Sequence, residues 1–390
     1  MIYFFWICAF LIVYTYFIFP ISIILLSKTK TLNTEFYNNI ADMPTVSILI
    51  AAYNEQEVIK EKVMSIIDAD FPINKIEIII GSDCSSDNTN QIINDLALAY
   101  PFIRTLIFHE RSGKSAVVNK LVSEAKNEII ILTDANIIFS KNTISALVRH
   151  FKNKQVGLID SNMVNIGIKK SGISFQEKTY ISAEVKLKHA ESKMCGMLMG
   201  PFGGCFTIRK SLFKPIPKHF LVDDFFVCLH ILLSGYKAIN DLSAVVYEDV
   251  SNQISEEFRR KRRIAIGNFI NLFYFRKLLL KPFSKLGFIF ISHKVIRWFG
   301  PLFLLLLLIA NYFVISEGDL YKTTFILQLF LFILPFIDLL LRKIGIHILI
   351  LRFITHFYSM NLGLFMGMID YLTTTKQGIW EPTKRKQDEI

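Results

Sequence analysis

From Ile2 to Ser27 the chain carries no charged side chain. A helix of that length, at ~1.5 Å per residue, outreaches the ~30 Å hydrocarbon core of a bilayer. Residues 1–27 are therefore read as an N-terminal transmembrane helix. A cleaved leader would need a basic start and a small-residue cleavage site, and neither is present. Lys28 and Lys30 follow the apolar run directly. By the positive-inside rule they place the downstream chain on the cytoplasmic side of the cell (inner) membrane.

A second apolar region begins near residue 269. Phe269–Phe283 carries Arg276, Lys277 and Lys281, and Leu286–Trp298 carries His293, Lys294 and Arg297. Segments 269–298 read as interfacial amphipathic helices whose cations reach toward headgroups. Phe299–Ile315 and Thr323–Leu341 read as spans, which makes the protein multi-pass. Ile344–Leu372 is long enough to cross but contains Arg352 and His356. The tail (373–390) bears Lys376, Lys384, Arg385 and Lys386, which favours the cytoplasm and conflicts with one more crossing. Spanning, re-entrant and interfacial readings of 299–372 beyond its second span stay open.

The net charge is +11 over 390 residues, of which 35 are Phe. A basic, apolar chain suits membrane lipid and an anionic substrate. No zinc spacing, helix-turn-helix or RNA-binding signature is present, so no nucleic-acid partner is expected. Cys8, Cys84, Cys195, Cys205 and Cys228 are scattered and form no CxxC pair. Reduced thiols follow rather than a disulfide framework.

Between these regions, 42–268 alternates. Val46–Ala52, Ile76–Gly81, Arg104–Phe108 and Glu128–Thr133 read as strands. Glu57–Asp68, Asn88–Tyr100, Lys114–Ala125 and Asn142–His150 read as helices. Continuous apolar strands separated by helices imply an α/β domain with a mostly parallel sheet. Ligands bind such sheets at the carboxyl ends of the strands. Polar residues gather there, in AAYNE (51–55), SDCSSDNT (82–89) and TDAN (133–136). A GxGxxG fingerprint and a Walker A loop are both absent, which removes dehydrogenase and ATPase readings.

These motifs resemble those of family 2 glycosyltransferases. AAYNE resembles the family's opening strand, and SDCSSDNT resembles DDGSTDxT. HERSGKSAVVN (109–119) resembles RxxGKxxALN, and TDAN resembles the acidic metal motif DxD. PFGGCFTIRK (201–210) resembles the acceptor-cradling segment. VDDFF (222–226) resembles the ED motif that carries the base. EFRRKRRIAIGN (257–268) lies where processive members have QxxRW. The resemblance covers 46–268 and implies a GT-A (Rossmann-like) fold. It implies a nucleotide-sugar site at Ala52, Tyr53, Glu55, Asp83, Lys114, Asp134 and Arg263. It also implies acceptor contacts at Phe202, Gly203, Gly204 and Asp223, a base at Asp224, and Mg²⁺ or Mn²⁺ at Asp134 and Asn136.

Elementary chemistry supports several of these roles and offers plainer ones. Asp83 can accept from the imide N–H of uracil or close an Asx turn. Asp87 suits an N-cap, and Asn54 and Glu55 either cap a helix or meet the nucleotide. Arg111, Gly113 and Lys114 open a helix whose N-terminus favours a diphosphate, though a solvated lysine is the simpler reading of Lys114. Asp134 is a hard oxygen ligand, whereas Asn136 stands where the family more often has a second carboxylate. Asp224 suits the general base of a direct displacement that inverts the anomeric centre, and Asp223 suits either an acceptor contact or an N-cap. In the basic run, Arg260 replaces the family's Gln, Arg263 keeps its Arg and Ile264 replaces its Trp. Arg263 could clamp the leaving diphosphate, or the run could be a solvated face.

The expected activity is sugar transfer from a nucleotide-sugar donor, read as UDP-linked, to a polysaccharide or lipid-linked acceptor. A polyprenyl-phosphate glycosyltransferase is the nearest alternative. A non-catalytic membrane scaffold would not need Asp83, Asp134, Asp224 and Arg263 together. A transporter would need paired membrane repeats, which are missing.

Overall fold

The computed structural model describes residues 1–32, 35–168, 173–249, 251 and 253–373. The eight strands are β1 Val46–Ala52, β2 Ile76–Asp83, β3 Ile103–Phe108, β4 Ile129–Asp134, β5 Ile138–Phe139, β6 Val156–Ile166, β7 Cys205–Arg209 and β8 Lys237–Asp249. They form one sheet in the order β3-β2-β1-β4-β7-β6-β8-β5. The run β3-β2-β1-β4 is parallel, as is β6-β8. Strand β7 enters antiparallel between β4 and β6, and β5 pairs antiparallel with β8. Parallel pairing therefore holds the β3-β2-β1-β4 half, and the other half is mixed.

Strand β1 shows why this half forms. Every one of its residues is buried, and successive side chains leave on opposite faces. Leu49 and Ala51 enter one core, while Ile48, Ile50 and Ala52 enter the other. Helices Ile59–Ile67 and Thr89–Ala99 cover the second face, and Lys114–Glu124 covers the first. The carboxyl ends of β1, β2 and β4 are thereby left as one open edge.

The first core continues without a break into the apolar flanks. Phe19, Phe290 and Trp298 share it with Phe225 and Leu229. Helix Ile254–Tyr274 runs through residue 268, with Phe269 and Ile270 buried, so the boundary placed there from sequence falls inside an element.

Helix Ser174–Cys195 is a polar rail between the sheet and the flanking helices. Its Glu177, Glu184 and Glu191 recur every seven residues and so share one face. Glu184 binds His293 at 2.9 Å, Lys294 at 2.6 Å and Arg297 at 2.8 Å. Glu191 binds His293 at 2.6 Å, and Glu177 meets Lys261 at 3.4 Å and His356 at 3.1 Å. This corrects the reading of His293, Lys294 and Arg297 as headgroup-facing cations. They face carboxylates that the sequence separates from them by about a hundred residues. Arg276, Lys277 and Lys281 do remain exposed.

Among the described residues four helices are long and apolar enough to cross a membrane: Ile2–Thr29, Gly300–Glu317, Asp319–Lys343 and Leu349–Thr373. The last lies along helix Ile254–Tyr274. Gly367 allows it close to the backbone carbonyl of Arg262, and Arg262 Nη2 donates to Asp370 at 2.8 Å. The tail cations Lys376, Lys384, Arg385 and Lys386 lie outside the described residues.

Candidate active site

The loops after β1 and β2 are stitched to each other before any ligand is considered. Asn54, at φ 52°, receives the Ser86 N–H on Oδ1 at 2.9 Å and donates its own N–H to Ser85 Oγ at 3.1 Å. The Glu55 N–H donates to Thr89 Oγ1 at 2.9 Å, and Asp87 accepts from the Gln56 and Thr89 N–H groups. Asn54 thus braces a loop, and Val58 is the N-cap of the helix that follows. Asp87 satisfies an orphan N–H at the next helix start, although Asn88 is the N-cap residue.

Asp83 is 1% exposed and has both oxygens engaged. Oδ1 accepts from the Ser112 N–H at 2.7 Å, and Oδ2 from the Gly113 N–H at 3.0 Å. Arg111 Nε lies 3.3 Å from Oδ2, and its guanidinium sits 3.2 Å over the Tyr53 ring. Tyr53, Asp83 and Arg111 therefore form one cluster at the ends of β1 and β2. Ala52 is fully buried beneath it, so it offers a ligand no side-chain contact.

Beside this cluster lies a cleft whose two halves share Lys114 and Asp223. One half adds Lys218, Phe220 and Arg263; the other adds Ala51, Asp134 and Gly203. Lys114 Nζ meets Asp134 Oδ1 at 2.7 Å. Burial disfavours the Lys114 charge, but Asp134, Asp223 and Asp224 outweigh it and hold its pKa above the usual lysine value. A cation poised among three carboxylates at a strand edge suits a diphosphate with its counter-ion.

Helix Asp223–Leu233 starts on the acidic pair itself, and its N-cap is Val222 with no side-chain cap. This corrects the N-cap reading of Asp223, whose side chain lines the cleft instead. Asp224 stands one step back, against the backbone of Gly203. A Cβ on Gly203 would lie 2.8 Å from Asp224 Oδ2. The Asp224 carboxyl is pushed up to about 7, chiefly by burial and then by the Asp223 charge, with Lys114 opposing. A carboxylate with that affinity is matched to taking a proton near neutral pH. Gly203→Ala must displace one of the two groups. We expect transfer to fall by about 10²-fold, the scale of a ~1 Å misplacement, with the melting temperature measured alongside to separate this from unfolding.

The other expected site residues are placed differently. Gly204 accepts on its carbonyl from the Asp134 N–H at 2.9 Å and from Thr133 Oγ1 at 3.0 Å, so it locks the end of β4. The Phe202 ring is half-buried against the core near Ile137 and Gly204. The Asn136 amide nitrogen is buried with no hydrogen-bond partner among the described residues. Within the basic run, Arg260 and Lys261 face Glu177, Arg262 faces Asp370, and Arg263 lines the cleft. That divides the run between structural pairing and the site, in place of one solvated face.

Lys62 and Lys218 escaped the sequence reading. Lys62 is fully buried, donates to Thr133 Oγ1 at 2.9 Å and lies 3.5 Å from the Phe139 ring centre. Burial pulls its pKa down to about 7. Lys218 sits in a Pro-rich loop with no motif to mark it.

Residues 47–216 match the family model described as Glycosyl transferase family 2. This segment is a family 2 glycosyltransferase domain. The matched range ends before Asp223, Asp224 and Arg263. The chain is 25% identical over 321 residues to the probable glycosyltransferase YdaM of Bacillus subtilis, covering 75% of this chain and 73% of that one. It is 26% identical over 228 residues to a poly-beta-1,6-N-acetyl-D-glucosamine synthase of Staphylococcus epidermidis, covering 57% of this chain and 54% of that one. Its fold is similar to a mannosyltransferase of Pyrobaculum calidifontis solved with GDP-Man and Mn²⁺. That likeness has TM-score 0.69 and 20% identity, and covers 95% of this chain and 99% of the other. The glycosyltransferase activity and the GT-A-like mixed sheet agree with the expectations from sequence.

A divalent cation fits the donor set without being fully enclosed by it. Among the described residues no three His, Cys, Asp or Glu side chains form a metal cluster. Asp134 and Asp223 line one half of the cleft together. Mg²⁺ is commonly held by one or two carboxylates with the rest supplied by substrate phosphates and water. Asp134 is the protein ligand the donor set offers, and Asn136 is half-buried two residues along.

Proposed function

We propose that the protein is an inverting glycosyltransferase that moves a sugar from a nucleotide-sugar donor, UDP-linked by preference, to a polysaccharide or lipid-linked acceptor at the cytoplasmic membrane face. The observation that carries the proposal is the meeting of Lys114, Asp134, Asp223 and Arg263 in one cleft, with Asp224 packed behind Gly203. The nucleobase meets the Tyr53, Asp83 and Arg111 cluster. Lys114 and Arg263 hold the diphosphate. A divalent cation bound at Asp134 would neutralise the charge that develops on the leaving group. Asp224 accepts the proton of the acceptor hydroxyl. As that oxygen bonds to the anomeric carbon, the sugar–phosphate bond breaks and its electron pair leaves on the diphosphate. One carboxylate is enough for this single displacement, whose outcome is inversion.

Support for a glycan acceptor comes from the likeness to a polysaccharide synthase and from the PFGGCF segment beside Asp224. Four candidate spans and the exposed cations Arg276, Lys277 and Lys281 support attachment to a membrane. The test is incubation of detergent-purified protein with a panel of radiolabelled UDP- and GDP-sugars. Transfer from a UDP-sugar with inverted configuration is expected. Transfer from GDP-sugars alone would overturn the donor preference, and a retained anomer would overturn the mechanism.

Orientation has its own test. Lys154 is exposed on the sheet domain. Lys154→Cys should resist an impermeant maleimide in whole cells and react once the membrane is opened. Labelling in intact cells would place the domain outside.

A further inference from the structure

Lys188 and Asp160 form a buried ion pair that takes no part in the proposed proton transfer, although the Lys188 charge tempers the rise in the Asp224 pKa. Lys188 Nζ lies 2.7 Å from Asp160 Oδ2, with side chains 6% and 0% exposed. Lys188 sits on helix Ser174–Cys195 between Glu184 and Glu191, which are fixed by His293, Lys294 and Arg297. Asp160 lies within β6, where Asn240 Nδ2 donates to its Oδ2 at 3.2 Å. Its other oxygen, Oδ1, accepts the Phe202 N–H at 2.6 Å. The next residue is Gly203, where an added Cβ would lie 2.8 Å from Asp224 Oδ2.

A buried ion pair adds little net stability over apolar residues of the same size, because desolvating both charges costs several kcal/mol per ion. What this pair supplies is direction. It aims one carboxylate oxygen at one loop amide, and that amide sets how far Gly203 stands from Asp224. Lys188 is itself clamped from both sides along its helix. The position of the 201–204 segment is therefore tied to the helix that docks on the membrane-flanking elements.

We infer that Lys188 and Asp160 are positioning residues that hold the Phe202–Gly203 segment against Asp224, and so govern transfer to the acceptor without contacting the donor. The inference rests on the proposed transfer reaction with Asp224 as its base.

Lys188→Met alone leaves Asp160 buried and unpaired, so that variant could fail to fold. Two double variants avoid this. Asp160→Leu with Lys188→Met removes both charges and the acceptor for the Phe202 N–H. Asp160→Asn with Lys188→Met also removes both charges but keeps an oxygen for that N–H. Melting temperature, nucleotide affinity and transfer rate are measured on both full-length proteins and the wild type. Both doubles should fold and bind nucleotide like the wild type. Transfer by the Leu/Met protein should fall about 10²-fold, the scale of a ~1 Å misplacement, and the Asn/Met protein should recover to within several-fold of wild type. Wild-type transfer by the Leu/Met protein overturns the inference, as does an equal loss in both doubles. A wild type that transfers no sugar overturns the proposed reaction itself, and this inference with it.

Discussion

Asp224→Asn is expected to lower turnover by about 10²–10⁴-fold, the usual contribution of a positioned general base. The substitution keeps the size of the side chain and an oxygen toward Gly203, and removes the proton sink. Nucleotide affinity should hardly change, because Tyr53, Asp83, Arg111 and Lys114 lie toward the donor. The sign of the pH dependence follows from the carboxyl being pushed up to about 7 by burial and by Asp223. The base works only when ionised, so wild-type kcat/KM should rise with pH through about 7 and be lost as pH falls below it. Stability should run the other way. A carboxyl whose folded pKa exceeds its unfolded value near ~4 favours the folded state while protonated, and that advantage fades between the two values as pH rises. Asp224→Asn should therefore melt higher than wild type above neutral pH. Asp223→Asn removes the like charge next door, which should move the rising limb to lower pH while turnover persists. The measurements are turnover, UDP binding and melting temperature against pH for both variants. If Asp223→Asn is the inactive protein and Asp224→Asn keeps working, the roles of the two residues are exchanged. If both lose UDP binding, the acidic pair holds the nucleotide and the base lies elsewhere.

The parallel half of the sheet, β3-β2-β1-β4, was legible because its strands obey one simple rule. β1 is apolar but for Ser47 and runs into polar residues, and its observed bounds, Val46–Ala52, are those read from sequence. Helices Thr89–Ala99 and Lys114–Glu124 follow from apolar spacing and from punctuation at Asn88 and Gly113. The other half broke the rule. β6 places Asp160, Ser161 and Asn162 in mid-strand, where Lys188 and Asn240 face Asp160, the Cys205 carbonyl faces Ser161 and the Leu242 carbonyl faces Asn162. Helix Ser174–Cys195 has no apolar stripe to announce it, because its inward face is built from glutamates paired with distant cations. Both failures have one cause. A buried polar residue is stable only with its partner, and the partner here lies between 28 and 179 residues away. The site divides the same way. Asp134, Lys114, Asp223 and Arg263 were found through motifs and meet in the cleft. Lys62 and Lys218 carry no local mark. Ala52 and Phe202, though within motifs, turn out to face the core.

Removing the divalent cation should abolish transfer, and the Lys114–Asp134 contact explains how the loss would show itself. That contact is 2.7 Å long, so Lys114 holds the Asp134 carboxylate on the face a cation would use. In the proposed reaction a donor phosphate would take over Lys114, which would leave Asp134 free to hold a divalent cation. EDTA should stop turnover, and Mn²⁺ or Mg²⁺ should restore it. Full activity in chelator would sink the assignment. Asp134→Ala should cost about 10²–10³-fold or more, the range seen when one preorganised electrostatic group is lost at a transition state. It also frees Lys114, so metal-free UDP should bind the variant at least as well as wild type, while the gain in affinity on adding Mn²⁺ disappears. That pairing of results separates a lost ligand from a damaged fold. Asn136→Asp tests the second position. The Asn136 amide nitrogen is buried without a partner among the described residues, so a carboxylate there loses an unsatisfied donor and gains a charge that needs a cation. The variant should remain active, melt below wild type in EDTA, and recover most of that difference when Mn²⁺ and UDP are both present. A melting temperature in EDTA equal to wild type would mean that residue 136 does not face the cation.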